Sequence, residues 1–143
     1  MNKMIKQCAV PVLCGFFVFM LFKLVFFIGY VPSESMEPTI KSGSCIMGCR
    51  IVCEIQRGDI VVFKHNGYML VKRVAAIPGD AVYIDETGLI ISVNKEIQES
   101  ASIFIVPNEC YFMQGDNIEN SIDSRSWKEP FIQKKDVIAK VWK

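Results

Sequence analysis

The most apolar part of the chain lies near its N-terminus, and the pattern of hydrophobic positions changes abruptly after it. Between Ala9 and Val31 the one charged residue is Lys23. These 23 residues are enough for a helix to cross a hydrocarbon core of about 30 Å. No small-x-small cleavage pattern follows, and a buried helix of this length would need more covering chain than is present. The pattern therefore predicts a transmembrane helix over residues 9–31.

Lysines before the apolar segment predict its orientation. Lys3 and Lys6 lie on the N-terminal side, and positive charge is typically retained in the cytoplasm. We therefore expect residues 1–8 in the cytoplasm, a single pass through the cytoplasmic membrane, and residues 32–143 on the far side. Lys23 lies about two turns before the exit and is expected to extend toward the lipid headgroups.

After residue 31 the pattern becomes one of short strands separated by turn residues. Seven runs are rich in β-branched and aromatic residues: DIVVF, YMLVKRVAAI, AVYI, GLIISV, SIFIV, CYFMQ and DVIAKVW. His65 to Gly67 (HNG) predicts a hairpin, and Pro78 to Asp80 and Glu86 to Gly88 predict further turns. This alternation predicts an all-β fold, a compact antiparallel β domain built as a barrel or a sandwich.

Charge and cysteine content narrow the expected partners. The formal net charge of +1 gives no broad basic field, so nucleic acid is not an expected partner. The six cysteines are Cys8 and Cys14 in or near the apolar segment, and Cys45, Cys49, Cys53 and Cys110 beyond it. The last four allow three disulfide pairings, which the sequence leaves open. Their spacing lacks the grammar of a zinc site, so neither a metal nor another cofactor is expected.

The polar segment VPSESMEPT, directly after the apolar run, contains two candidate nucleophiles. Pro32 and Pro38 prevent it from simply continuing a helix. The segment is therefore either a linker at the membrane surface or a turn that holds a reactive serine. A serine hydroxyl is a weak nucleophile and requires a neighbouring general base.

Two residues are candidates for that base. The one histidine, His65, lies at the predicted hairpin tip, where solvent is expected and a fixed orientation is not. Lys72 lies inside the most apolar exported strand, with Leu70 and Val74 predicted on its face. Burial lowers the pKa of a lysine and favours the neutral amine. The alternative is an edge-strand lysine that prevents aggregation.

Four ordered segments resemble a known family. PSESMEPT (32–39), RGDIVVF (57–63), VKRVAAIPGD (71–80) and GDNIENSIDSR (115–125) resemble the conserved boxes of bacterial type I signal peptidases, which are membrane-anchored serine proteases with a Ser-Lys dyad. The resemblance implies an all-β, signal-peptidase-like catalytic domain after one transmembrane helix. It also implies an endopeptidase that removes N-terminal signal peptides from exported preproteins at the outer face of the cytoplasmic membrane.

The resemblance assigns roles position by position. Ser35 resembles the nucleophile, and Lys72 resembles the general base. Ser33 matches a serine whose hydroxyl forms the oxyanion hole together with the backbone N–H of Ser35. Ser121 matches a hydroxyl that orients the lysine. The implied cleavage follows small residues at the first and third positions before the cut.

The fourth segment also contains residues with an expected structural role. Asp116, Asp123 and Arg125 resemble polar scaffold residues near the site, where we expect structural ion pairs. Two departures accompany them: Ile118 stands where the family often has arginine, and Glu34 stands where many relatives have glycine, which would narrow the neighbouring pocket. From its short length we expect a minimal core without the extra β domain of larger relatives.

Two other functional classes compete with an active peptidase. One is a membrane-tethered relative that has lost activity and acts as a binding module, and the other is a self-cleaving regulator of the same clan. The joint presence of the two serines, the lysine and Ser121 disfavours the first, and the apolar N-terminal segment disfavours the second. The expected partners are signal-peptide-bearing preproteins and the lipid bilayer, and a specialised set such as pilin precursors stays open.

Overall fold

Residues 2–84, 90–92 and 102–142 are described by a computed structural model of the protein. Its elements in chain order are helix α1 (Asn2–Val25) and strands β1 (Phe26–Tyr30), β2 (Cys45–Cys49), β3 (Ile60–His65), β4 (Tyr68–Ala76), β5 (Ala81–Ile84), β6 (Ile90–Ser92), β7 (Ser102–Ile105), β8 (Cys110–Gln114), β9 (Phe131–Gln133) and β10 (Val137–Val141), with a 3-10 turn at Lys134–Asp136 before the last strand.

The strands form one large sheet and one small one. The large sheet has seven strands in the order β1-β2-β10-β3-β4-β8-β9, and the small sheet has the order β6-β5-β7. Every pairing among the described strands is antiparallel. The prediction of an antiparallel β domain is therefore confirmed, and all seven predicted strands are present as β3 to β8 and β10.

The predicted hairpin connects β3 and β4. His65 pairs with Tyr68, and Asn66 and Gly67 between them have φ values of 49° and 83°. These left-handed conformations are typical of an Asn-Gly turn whose twist matches the flanking strands. The turn predicted at Glu86 to Gly88 lies outside the described residues.

The last part of the predicted transmembrane helix is not helical. Helix α1 ends at Val25, and residues 26–30, predicted as the last part of a helical span, form strand β1 and pair with β2. The sequence FFIGY is apolar at nearly every position, so its periodicity cannot distinguish a helix from a strand. In the part of the chain that the structure describes, no helix has the length and hydropathy needed to cross a membrane.

Strand β3 separates two hydrophobic clusters. Ile60 and Val62 face a cluster that also contains the buried Met36. Val61 and Phe63 face the other side of the strand, in a cluster with residues of β4 and β8. A third, smaller cluster joins β4 and β8 to the three-stranded sheet. Because both faces of β3 are covered, its sequence is a continuous apolar run rather than an alternating one.

Replacement of Phe63 by alanine should destabilise the domain. The side chain is fully buried and contacts Trp127 edge-on, with ring centres 6.1 Å apart. Removal of a buried phenylalanine ring typically costs about 3–5 kcal/mol of unfolding free energy. Denaturant unfolding in detergent checks this value. Ile51→Ala, at a side chain that is 61% exposed, is the control and should stay within about 0.5 kcal/mol of wild type; equal effects would contradict the assignment of this core.

Candidate active site

Ser35 lies in a tight turn that follows β1. The turn is closed by backbone hydrogen bonds from Glu37 N to Glu34 O (3.0 Å) and from Ile40 N to Met36 O (2.8 Å). Met36 is fully buried against the sheet, and Ser35 itself is 7% exposed. The apolar side chain that follows the serine therefore anchors it, and Ser35 has a fixed position rather than a place in a flexible linker.

Lys72 lies in the interior of β4, where it pairs with Val61 of β3. It is 4% exposed, and Val74 on the same face is fully buried, whereas Arg73 between them is half-buried. The predicted alternation is therefore confirmed at this position. Desolvation by burial lowers the pKa of Lys72, an effect that the charge of Asp123 opposes and the charge of Arg125 reinforces.

Ser33, Ser35 and Lys72 line one cavity of about 580 Å³. The two serine hydroxyl oxygens lie 3.3 Å apart, within hydrogen-bond distance. Residues 27–31 of β1 and its continuation form one wall, and residues 68–72 of β4 form the other. The cavity thus combines hydroxyl groups, a buried amine and mainly apolar walls.

Asp123 organises the loop after β8. Its carboxylate accepts hydrogen bonds from Ser121 Oγ (2.7 Å), Gly115 N (2.9 Å) and Arg125 Nε (2.8 Å), and the side chain is fully buried. Burial alone would raise the pKa of Asp123, but the hydrogen bonds from Arg125, Gly115 and Ser121 outweigh it and lower the pKa below its ordinary value. The carboxylate is therefore held in its charged form.

Asp116 forms a second ion pair beside the cavity. Arg73 donates from Nε to Asp116 Oδ1 (2.7 Å) and from Nη2 to Oδ2 (2.6 Å), a bidentate arrangement. Arg73 Nη1 also donates to the carbonyl of Gly58 (2.8 Å). Both carboxylates whose charges act on Lys72 are therefore engaged by arginines, and within the described residues Lys72 makes no salt bridge.

Residues 115–117 (GDN) also contact the turn that contains Ser35. Asn117 N donates to the carbonyl of Ser35 (3.0 Å), and Asn117 Nδ2 donates to the carbonyl of Glu34 (3.2 Å). A Cβ added to Gly115 would lie 2.5 Å from the Ser35 carbonyl oxygen and would collide with the Ser121 hydroxyl. Gly115 and Asn117 thus bring the Ser35 turn and Ser121 together, a role that the sequence analysis did not assign to either residue.

The family of this protein is indicated by a match that covers almost the whole chain. The family model described as "Signal peptidase, peptidase S26" matches residues 2–103 and 92–142. The chain belongs to this family. The predicted family, and with it the predicted class of hydrolase, is confirmed.

Several relatives are named signal peptidase I. The enzyme of Bacillus amyloliquefaciens is 31% identical over 125 residues, which cover 73% of this chain and 68% of that protein. The Pseudomonas fluorescens protein is 31% identical over 159 residues, covering 73% of this chain and 56% of its own length. Signal peptidase I S of Bacillus subtilis (strain 168) is 28% identical over 156 residues, covering 93% and 85%. The chain thus spans little more than half the length of the Pseudomonas relative.

A solved signal peptidase I from Enterococcus faecalis V583 is also similar. Its TM-score is 0.47 at 23% sequence identity, and the match covers 62% of this chain and 97% of that one.

Two departures from the signal peptidase boxes have local explanations. The backbone carbonyl of Ile118 accepts a hydrogen bond from Arg125 Nη2 (2.9 Å), so this position contributes its main chain to the Asp123 loop. Glu34 is exposed, and its side chain is not among the residues that line the cavity. The narrowing of the pocket expected from Glu34 is therefore not seen.

The ring of His65 has a fixed orientation, although we expected none for a histidine at a hairpin tip. Its ring stacks on Trp127 with centres 4.0 Å apart and planes at 25°, and the residue is half-buried. It lines a different cavity, of about 340 Å³, beside residues of β9. The Asn-Gly turn correctly predicted the hairpin, but no local pattern indicates that Trp127, 62 residues further along the chain, stacks on the histidine.

The cysteines beyond the apolar segment are free thiols. Cys45, Cys49, Cys53 and Cys110 form no disulfide in the part of the chain that the structure describes. None of them lines the cavity that contains Ser35.

The depressed pKa of Asp123 predicts a loss of stability in acid. Because the folded-state pKa lies below the ordinary value of 3.8, the contribution of this carboxylate is fully present above that pH and declines as pH falls through the folded-state pKa. Unfolding free energies measured from pH 6 to pH 2 should show this decline, and Asp123→Asn should lack it.

Ser126→Ala is the matched control for this measurement. The Ser126 hydroxyl donates to the main-chain carbonyl of Asp123 (3.1 Å) rather than to its carboxylate. The variant should therefore retain the acid-dependent decline. An Asp123→Asn protein whose pH dependence equals that of wild type would contradict the carboxylate network.

Proposed function

We propose that this chain is a membrane-anchored serine endopeptidase that removes N-terminal signal peptides from exported preproteins, using Ser35 as nucleophile and Lys72 as general base. The observation that carries the proposal is that one cavity is lined both by Ser35 and by Lys72, a buried lysine of lowered pKa. Membership of the signal peptidase family agrees with this activity.

The proposed chemistry begins with proton transfer. Neutral Lys72 Nζ takes the proton of the Ser35 hydroxyl as Oγ attacks the scissile carbonyl carbon. Collapse of the tetrahedral intermediate breaks the C–N bond, and the lysine ammonium returns the proton to the departing amine. Lys72 then deprotonates a water molecule, which attacks the ester on Ser35. The lysine ammonium returns this proton to the departing Ser35 oxygen, and the signal peptide leaves as a carboxylic acid that ionises in water.

Two donors are available for the oxyanion. The backbone N–H of Ser35 has no hydrogen-bond acceptor among the described residues, and the Ser33 hydroxyl lies beside Ser35 Oγ. Donors directed at the developing charge act strongly in a cavity with low dielectric; the loss of one such donor typically costs about 3–4 kcal/mol of transition-state stabilisation.

Ser121 is proposed to orient the lysine. Its hydroxyl proton is used in the hydrogen bond to Asp123, so the lone pairs of Oγ remain to accept from the Lys72 amine. Gly115 permits the close approach of Ser121 to the Ser35 turn. Asp116, Asp123 and Arg125 act in this scheme as the scaffold that holds the loop.

Two open strand edges are proposed to bind the substrate. Strand β1 is an outer strand of the large sheet, and residues 68–72 of β4 precede the part of the strand that pairs with β8. Both segments line the Ser35 cavity. An extended peptide can pair with main-chain groups there and direct alternate side chains into the apolar cavity. Small residues before the cut, as the family resemblance implies, would occupy this space.

Membrane anchoring completes the proposal. The single transmembrane segment was predicted at residues 9–31, but residues 26–30 form β1 of the catalytic domain. Residues 9–25 are therefore proposed as the membrane segment, with residues 1–8 in the cytoplasm and the catalytic domain, from residue 26 onward, outside it. Lys3 and Lys6 before the segment support this orientation. The short connection from the segment to Ser35 would keep the nucleophile near the outer membrane surface, where the cleavage site of a signal peptide emerges.

Incubation of detergent-solubilised protein with secretory preproteins and pilin precursors tests the activity and the substrate set. Ser35→Ala should reduce kcat by at least about 1000-fold, because the variant lacks the oxygen that forms the acyl intermediate. New N-termini are identified by mass spectrometry. Lys128→Ala, at an exposed residue that does not line the cavity, is the control and should cleave normally; undiminished cleavage by Ser35→Ala would refute the nucleophile.

The lowered pKa of Lys72 predicts an alkaline limb in the pH profile. Activity requires the neutral amine, so kcat/KM should rise with pH to a plateau, with a midpoint below the ordinary value of 10.5. Lys72→Arg should be inactive, because a guanidinium does not deprotonate. His65→Ala should retain the limb, since His65 lines another cavity. An active arginine variant, or a limb lost with His65, would overturn the assignment of the base.

A further inference from the structure

Arg50 introduces a positive charge into the wall of the Ser35 cavity. It follows β2 directly and lines the same cavity as Ser35 and Lys72. Its Nε donates to the carbonyl of Phe26 (3.2 Å), and its guanidinium carbon lies 5.2 Å from the centre of the Phe27 ring. A hydrogen bond and a cation–π contact therefore hold the side chain along β1.

The hydrogen-bond pattern of β1 locates this contact on its open edge. Val25 O and both main-chain polar groups of Val31 bond to the β2 side, to Arg50, Ser44 and Gly43. Since main-chain groups alternate along a strand, the even-numbered residues 26, 28 and 30 face away from β2. The carbonyl of Phe26 is thus the first acceptor of the open edge, and Arg50 occupies it.

The position of Arg50 limits the length of the edge that a substrate can use. Ile28 and Tyr30 keep their outward main-chain groups for pairing, while the guanidinium covers the group beyond them. A substrate whose scissile bond lies at Ser35 and whose extended chain pairs along β1 therefore reaches Arg50 at the far end of the open edge. At about 3.3 Å per residue, this point corresponds to a substrate residue roughly four to seven positions from the scissile bond.

The charge of Arg50 is not neutralised by the described residues. Among the described residues, no aspartate or glutamate lines the cavity, and no carboxylate forms a salt bridge with Arg50. Lys72, the other basic residue of the lining, must be neutral to act as a base. The Arg50 guanidinium thus places a positive charge beside the path of the substrate.

We propose that Arg50 is a specificity residue that favours substrates with an aspartate or glutamate roughly four to seven residues before the cut. The inference rests on the proposed function, because the apolar signal segment must run along β1 on the upstream side of the scissile bond. The carboxylate would pair with the Nη groups of the guanidinium, while Nε stays bonded to Phe26.

The test uses one cleavable precursor and four charge-scanned sets. Glutamate, glutamine or lysine is placed in turn at the fourth, fifth, sixth and seventh positions before the cut, and kcat/KM is measured in nonionic detergent. At one of these positions the kcat/KM of the glutamate precursor should exceed that of the glutamine precursor by about two- to fivefold, the range typical of a solvent-accessible ion pair. The precursor with lysine at that position should be cleaved more slowly than the one with glutamine. Salt at 0.5 M should reduce both differences in kcat/KM.

Charge reversal in the enzyme separates recognition from a structural role. Arg50→Glu should invert the preference, so that the precursor with lysine is cleaved faster than the precursor with glutamate at the same position. Arg50→Gln should abolish the preference, and Arg50→Lys should restore most of it. Arg57→Gln is the matched control, because Arg57 pairs with Asp80 at 2.7 Å and does not line the cavity; it should keep the wild-type preference.

The outcomes distinguish this inference from the proposed function. If no precursor is cleaved at all, the proposed function fails. If wild type cleaves all precursors but ignores their charge, or if Arg50→Glu keeps the wild-type order, the inference fails while the peptidase stands. A charge preference at positions after the cut would also overturn it. So would activity that rises with anionic lipid only when Arg50 is present, together with no charge preference in nonionic detergent, since Arg50 would then bind a lipid headgroup.

Discussion

The burial of Lys72 without a salt-bridge partner among the described residues is the constraint on which the site depends. An amine in an apolar strand loses its hydration, and the charged form becomes costly unless a carboxylate compensates. Two carboxylates act on Lys72, but Asp123 is bonded to Arg125 and Asp116 is bonded to Arg73. The arginines therefore supply the compensation that these carboxylates require, and the lysine is left to respond to burial. The same two ion pairs fix the loop and the strand on either side of the amine.

The serine turn depends on the same loop for its position. Met36 anchors the turn in the core below, and Asn117 binds two of its carbonyl groups from the side. Gly115 allows this approach because it has no side chain to separate the Ser35 carbonyl from Ser121. The serine turn and the loop after β8, which are far apart in the chain, thus meet through hydrogen bonds to main-chain carbonyl groups.

The shape of the sheet provides the cleft. Strand β1 has no partner on its outer side among the described strands, and the first half of β4 extends beyond β8. An open edge is usually an aggregation hazard, but here the two open segments face one cavity and Arg50 covers the end of one of them. In the proposed function the substrate completes the sheet, and the arginine sets where that pairing ends.

Local sequence patterns determined most of the elements. Seven strands and the Asn-Gly turn follow from side-chain alternation and turn chemistry, and the ordered sequence boxes alone indicate the family and the roles that it implies for Ser35, Lys72 and Ser121. Strand β1 could not be predicted, because an all-apolar segment satisfies a helix and a strand equally and only pairing with β2 separates them. The stacking of His65 on Trp127 and the hydrogen bonds of Asn117 to the serine turn join residues more than 60 positions apart. The contact of Arg50 with the outer edge of β1 is likewise a product of strand register. Propensity and periodicity act over a few neighbouring residues, whereas these contacts depend on which strands pair, and that only the tertiary structure decided.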